Sequence, residues 1–143
     1  MAIIKDILTK KSSVLHVVNS EATVFDALKI MSEHNIGSIM VLENGKFCGI
    51  FSERDYARKV VLAGKASSDT QVKEVMETQV PQLKPTDGID YCMQLMSVKN
   101  IRYLPVFEDQ QLMGIISQSD IVKQIIESQI STIEHLRDYI HLK

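Results

Sequence analysis

A chain of 143 residues with 45% hydrophobic content has enough apolar mass for one compact domain or for two half-domains sharing a core. Its 16 basic and 18 acidic residues leave a net charge of −2, which excludes a global field able to hold nucleic acid or an anionic membrane, so any phosphate must be bound locally. No apolar run is long enough to span a bilayer, and the start has neither the apolar core of a signal peptide nor the Arg-rich character of a transit peptide, so the expected location is cytoplasmic.

The first element is a short lead-in, Ile4-Lys5-Asp6-Ile7-Leu8. Val24, Ala27, Leu28 and Met31 then fall at i, i+3, i+4 and i+7, which predicts an amphipathic helix, opened by Thr23 and Asp26 as a capping box. Ser38 to Leu42 and Phe47 to Phe51 flank Asn44-Gly45 and read as a hairpin with a two-residue turn. Tyr56, Ala57, Val60 and Val61 mark a second helix, and Ala63 to Thr70, without apolar period, an exposed loop. The order then starts again. A lead-in at Val72-Lys73-Glu74-Val75-Met76 is followed by a helix on Ile89, Cys92, Met93 and Met96. Strands at Tyr103 to Phe107 and Leu112 to Ile116 flank Glu108-Asp109-Gln110-Gln111, with Pro105 implying a free donor side, and a helix follows on Ile121, Val122, Ile125 and Ile126. Ser131-Thr132-Ile133-Glu134 predicts a fresh start for a terminal helix, whose stripe of Ile133, Leu136 and Ile140 is a candidate dimer contact.

Sliding the chain along itself by 65 positions aligns Leu15 to Val61 with Val80 to Ile126 without a gap. Asn35/Asn100, Ile36/Ile101, Gly49/Gly114, Ser52/Ser117 and Asp55/Asp120 are among the identical pairs. The lead-ins echo each other at a displacement of 68. The expected fold class is α/β of the α+β type: two β-α-β-β-α repeats, each marginal in stability alone, packed with pseudo-twofold symmetry. Expected boundaries are residues 1–68 for repeat 1 with its lead-in, 69–130 for repeat 2 with its lead-in, and 131–143 for the C-terminal helix.

Both hairpins end in Gly-x-x-Ser-x-x-Asp, at Gly49 to Asp55 and at Gly114 to Asp120. A serine followed three residues later by an acid is first of all a helix cap. Two copies in one slot, strand end to helix start, also place a hydroxyl, a carboxylate and free backbone donors where a nucleotide fits, since a carboxylate accepts ribose hydroxyls and a helix start favours phosphate. Capping alone, or capping and binding together, are both open on the residues.

Tandem repeats of this order with this ending resemble a pair of cystathionine-β-synthase (CBS) domains, and the resemblance covers nearly the whole chain. Asn35-Ile36 and Asn100 to Val106, in register with the two motifs, make the resemblance specific, and the stretch Ser52 to Val60 resembles, more narrowly, stand-alone bacterial-type and organellar CBS-pair proteins. The resemblance implies an intramolecular pair, a disc-like homodimer of four repeats, and an adenine nucleotide ligand, AMP, with ATP, ADP or NAD as alternatives, in clefts between repeats. Carried over residue by residue, it implies one cleft from Thr78, Val80, Pro81, Ile101, Arg102 and Tyr103 with Ser52, Arg54, Asp55 and Arg58. There Asp55 holds a ribose, and Arg54, Arg58 and Arg102 meet phosphate unless they are simply solvated. A weaker mirror cleft takes Val14, Leu15, His16, Ile36, Gly37 and Ser38 with Ser117, Ser119 and Asp120; Gly37 and Ser119 stand where the first has Arg102 and Arg54.

No spacing among His16, His34, His135 and His141 assembles a nucleophile with a base or a metal cluster, so neither catalytic nor metal-ligating residues are expected. Cys48 and Cys92 sit in apolar sequence as core thiols, and Met31, Met40, Met93, Met96 and Met113 fall at core positions. Scattered charge and the lack of Trp count against nucleic acid. The competing reading is a protein-interaction scaffold for an unidentified client enzyme.

Overall fold

The computed structural model describes residues 2–11 and 15–141. Its elements in chain order are α1 (Ile4–Leu8), β1 (Val17–Asn19), α2 (Val24–Glu33), β2 (Ser38–Glu43), β3 (Lys46–Ser52), α3 (Glu53–Asp55, continuing over Tyr56–Val61), α4 (Val72–Val75), α5 (Ile89–Lys99), β4 (Tyr103–Glu108), β5 (Gln111–Ser117) and α6 (Gln118–His141). They form two compact units, one of residues 15–80 and the other of residues 2–11 with 81–141.

The first unit is built on a three-stranded sheet in the order β1-β2-β3, with β1 parallel to β2 and β2 antiparallel to β3. Val24, Ala27 and Met31 of α2 pack with Val18, Ile39, Val41 and Phe51 from the sheet and Val60, Val72 and Val75 from the later helices. In the second unit the buried residues stand at equivalent positions: Leu83, Ile89, Cys92, Met96, Leu104, Val106 and Ile116, with Ile4 and Ile7 answering to Val72 and Val75. Its sheet is the β4-β5 hairpin, and the strand matching β1 is reduced to a single parallel bridge, Leu83 with Val106. Pro81 and Pro85 flank that bridge and lack the backbone donors a longer ladder would need.

The lead-ins are exchanged between repeats. The α1 backbone donates from Ile4 to Asp87 O and from Lys5 to Pro85 O, both 2.9 Å, while α4 donates from Val72 to Ala22 O at 2.8 Å and from Lys73 to Ser20 O at 3.0 Å. Each short helix thus completes the core of the unit holding the other repeat's hairpin. Periodicity within a five-residue segment reports an apolar face but not the surface that receives it.

Four further features differ from expectation. The second hairpin turns on two residues, Asp109 and Gln110, at φ of 51° and 67°, matching Asn44 (52°) and Gly45 (77°), so the four-residue connection shrinks to the length of the first. No new helix starts at Ser131: α6 runs unbroken over 24 residues, because the Thr132 hydroxyl donates back to Ser128 O at 3.0 Å instead of capping forward. Met93 and Met113 are exposed, unlike Met31, Met40 and Met96, which are buried. The loop after the first repeat is also less detached than its composition implies, since Ser67 O and Thr70 O accept from the first turn of α2.

The repeated Asn35 and Asn100 have a structural reason. Both adopt left-handed backbone at the ends of α2 and α5, with φ of 53° and 54°, and the following Ile36 and Ile101 donate back to Met31 O and Met96 O at 3.0 Å. Asparagine tolerates this conformation, and the turn closes the helix carbonyls. It also aims the chain into β2 and β4, whose first residues, Ser38 and Tyr103, pair with Ser52 and Ser117 of the two motifs.

Candidate functional site

Each unit carries one Ser-x-x-Asp box where its hairpin passes into a helix. In the first, Ser52 N–H and Ser52 Oγ donate to Asp55 Oδ2 at 3.0 and 3.1 Å, and Asp55 N–H donates to Ser52 Oγ at 3.2 Å. In the second, Ser117 N–H donates to Asp120 Oδ2 at 2.9 Å and Asp120 N–H to Ser117 Oγ at 3.1 Å. These are reciprocal capping boxes, which satisfy backbone donors that the helix start leaves open. The carboxylates are largely withdrawn from water, their side chains only 13% and 16% exposed.

Each carboxylate also holds a lysine that the motif did not announce. Lys59 Nζ lies 3.2 Å from Asp55 Oδ1 and 3.6 Å from Glu77 Oε2, and donates to Val75 O at 3.2 Å. Lys11 Nζ lies 2.7 Å from Asp120 Oδ2 and donates to Ile115 O at 2.9 Å. The i,i+4 spacing of Asp55 and Lys59 was a readable signal. Nothing in the sequence pairs Lys11 with Asp120. Burial pushes the Asp120 carboxyl up, but the bonds from Lys11 and Ser117 and the Lys11 charge outweigh it and hold the group below the usual carboxylate range.

The helix after Asp55 is wide over Tyr56–Val61: Leu62 N–H reaches back five residues to Ala57 O, and Lys65 N–H to Val60 O. Such widened turns are rare and recur at functional sites. It carries Arg58, exposed, one turn beyond the half-buried Arg54.

The first unit holds Leu15, His16, Ile36, Gly37, Ser38, Ser52, Arg54, Asp55, Arg58, Thr78 and Val80; the second holds Pro81, Ile101, Arg102, Tyr103, Ser117, Ser119 and Asp120. Val14 lies outside the described residues. Within the first unit, Ser38 is the register partner of Ser52, and Glu53 N–H donates to Gly37 O at 3.0 Å. Within the second, Tyr103 is the partner of Ser117, and Gln118 N–H donates to Arg102 O at 2.9 Å. Each unit therefore gathers its own box with its own strand start. Ser119 bonds Ser117, Oγ to Oγ, at 3.2 Å. His16 stacks on His34, ring centroids 3.9 Å apart, so that ring is engaged at the end of α2.

Glu77 donates to Ile50 O at 2.8 Å and accepts from Ile50 N–H at 3.0 Å, which brings the approach to Thr78 alongside β3. Gly49 makes room for it, since a Cβ there would stand 2.8 Å from Glu77 O. Among the described residues no group of three His, Cys, Asp or Glu side chains is placed to hold a metal ion. Burial, then the Asp87 charge, pushes the Cys92 thiol up to about 11, and burial followed by Glu43 raises Cys48, so both stay protonated near neutrality. No helix of the described residues is long and apolar enough to cross a membrane.

Comparison with known proteins gives a match to the CBS domain family model twice, over residues 4–62 and 72–127. A solved structure of a signal-transduction protein with CBS domains from Burkholderia ambifaria is 38% identical, with a TM-score of 0.86 over 90% of this chain and 96% of that one. The mitochondrial CBS domain-containing protein CBSX3 of Arabidopsis thaliana is 33% identical over 85% of this chain, which spans 61% of that relative's length. A hexameric CBS-CP12 protein from bloom-forming cyanobacteria is 29% identical, with a TM-score of 0.76 over 85% of this chain and 66% of that one.

Proposed function

The chain belongs to the CBS domain family, with two repeats in tandem, and we propose that it is a regulatory module which binds an adenine nucleotide and catalyses nothing. AMP is the first ligand to test, with ADP, ATP and NAD as alternatives. The observation that carries the reading is the recurrence, in both units, of a hydroxyl and a largely buried carboxylate at a helix start with a lysine against them. A ribose diol can take the oxygen now given to lysine, while the cation it releases meets phosphate. Ser52, Arg54, Asp55 and Arg58 supply more cations than Ser117, Ser119 and Asp120, which supports the first box as the tighter one.

Ligand that binds only the folded state raises its melting temperature by mass action. Millimolar AMP should raise the melting temperature of the purified chain, and a temperature unmoved by AMP, ADP, ATP and NAD alike would remove the nucleotide reading.

A second reading, association through α6, is favoured by the exposure of Ile126, Ile130, Ile133, Leu136, Tyr139 and Ile140 along its outer part. Ile126, Ile133 and Ile140 are seven apart, a coiled-coil seam, and a second copy supplies the same stripe. We place the homodimer contact there. It is compatible with nucleotide binding, and a client enzyme would read the assembled module.

A further inference from the structure

Lys10 and Lys11, adjacent residues after α1, both reach the β5–α6 region of their unit. Lys10 Nζ lies 2.7 Å from Glu127 Oε2 and 3.1 Å from Gln124 Oε1, in the open. Lys11 Nζ lies 2.7 Å from Asp120 Oδ2 and takes Ile115 O as a second acceptor at 2.9 Å, with its side chain one-third exposed. Lys11 therefore covers the very carboxylate that the nucleotide reading gives to a ribose. The first unit is arranged otherwise. There the lysine on Asp55 belongs to the same helix, and the residue answering to Lys11 under the 68-residue displacement is the uncharged Gln79. Lys59 is fixed one turn from its partner, whereas Lys11 rides on a segment outside the helix and can leave Asp120 without unwinding α6.

We propose that Lys11 is the specificity-determining residue of the Ser117–Asp120 site: its ammonium, held on Asp120, passes to the phosphate of an entering nucleoside monophosphate. This rests on the nucleotide reading above. The exchange keeps charge balanced, because the ammonium moves from a carboxylate to a phosphate while the carboxylate accepts ribose O–H donors in its place. A nucleoside without phosphate must evict Lys11 and offers it nothing, while the Asp120 carboxylate, only 16% exposed, loses its cation. The chain's own lysine thus selects for phosphate, and it supplies the cation that the sequence comparison found missing from this box.

Calorimetric titration of the whole chain with AMP and with adenosine tests this in wild type, Lys11→Met and Lys11→Arg. Wild type should prefer AMP. Lys11→Met should lose about tenfold or more in AMP affinity at the Ser117–Asp120 site, the weaker of the two binding events, about 1.4 kcal/mol or more by the usual conversion, while adenosine binds there as well or better. Lys11→Arg should keep most of the preference. Unchanged AMP affinity and an unchanged AMP-to-adenosine ratio in Lys11→Met would overturn the role of Lys11 and leave the nucleotide reading standing. Wild type that binds neither ligand removes both. If the methionine variant does not fold, the side-chain ammonium resonance of Lys11 in the wild type decides: it should move with AMP, and a resonance unmoved at saturation contradicts the exchange.

Discussion

Lys11 and Asp120 stand 109 positions apart in the chain and 2.7 Å apart in the fold, and that ion pair ties the N-terminal segment to the start of α6. Its effect on stability has a definite sign. Asp120 is held below the usual carboxylate range, so the folded chain binds this proton more weakly than the unfolded chain does. The stabilisation is therefore fully present above the ordinary Asp pKa of about 4 and is lost as pH falls through the folded value. Urea unfolding of wild type and Lys11→Met should show a stability gap at neutral pH that closes on acidification. A gap of constant size across the carboxylate range would contradict the pairing.

Gly49 and Gly45 separate two reasons for glycine. At Gly49 an added Cβ would meet Glu77 O at 2.8 Å and Met76 Sδ at 2.9 Å, so Gly49→Ala must push α4 and its approach away from β3. At Gly45 the space is open and only the φ of 77° resists. Denaturant titration should give a loss of about 1–3 kcal/mol for Gly49→Ala, by overpacking. Gly45→Ala should lose about 1 kcal/mol, by strain in the left-handed region. Retention of full stability by Gly49→Ala would mean that the segment is not held against β3.

The second hairpin turn places Gln110 at a φ of 67°, where the first turn has a glycine. Gln110→Gly should therefore raise the unfolding free energy by about 0.5–1 kcal/mol, relieved strain outweighing added unfolded-state entropy. Loss of stability would place the turn in another conformation.

What was legible in the chain was what repeats. Asn35 and Asn100 cap α2 and α5 alike, both hairpins shift register at the same relative point, Val41/Leu42 and Val106/Phe107, and the Ser and Asp boxes close as the spacing implied. Local chemistry determines such features, so local pattern reports them. The exchange of α1 and α4 was not legible, because Ile4 and Ile7 would suit either core. Lys11 was missed for a related reason: a lysine in a short connecting segment carries no mark of the acid it meets. The continuity of α6 turned on Thr132, whose hydroxyl serves a cap or a bond to the preceding turn equally well, and only the backbone decides between them.

The exposed stripe of α6 predicts self-association. Ile133→Lys combined with Leu136→Lys should shift the chain to a smaller species in light scattering after size exclusion, while the melting of its core is little changed, since both side chains are more than half exposed in the single chain. An unchanged mass would remove α6 from the dimer contact.

The central claim, that the two boxes bind nucleotide, is met most directly by calorimetric titration of AMP into wild type, Asp55→Asn and Asp120→Asn. Asparagine keeps an oxygen for the cap while removing the charge that the cation and the ribose both use. The account predicts saturable AMP binding to wild type, a large loss in Asp55→Asn, and a smaller loss in Asp120→Asn. Absence of binding to wild type, or binding unaffected by either substitution, would contradict it.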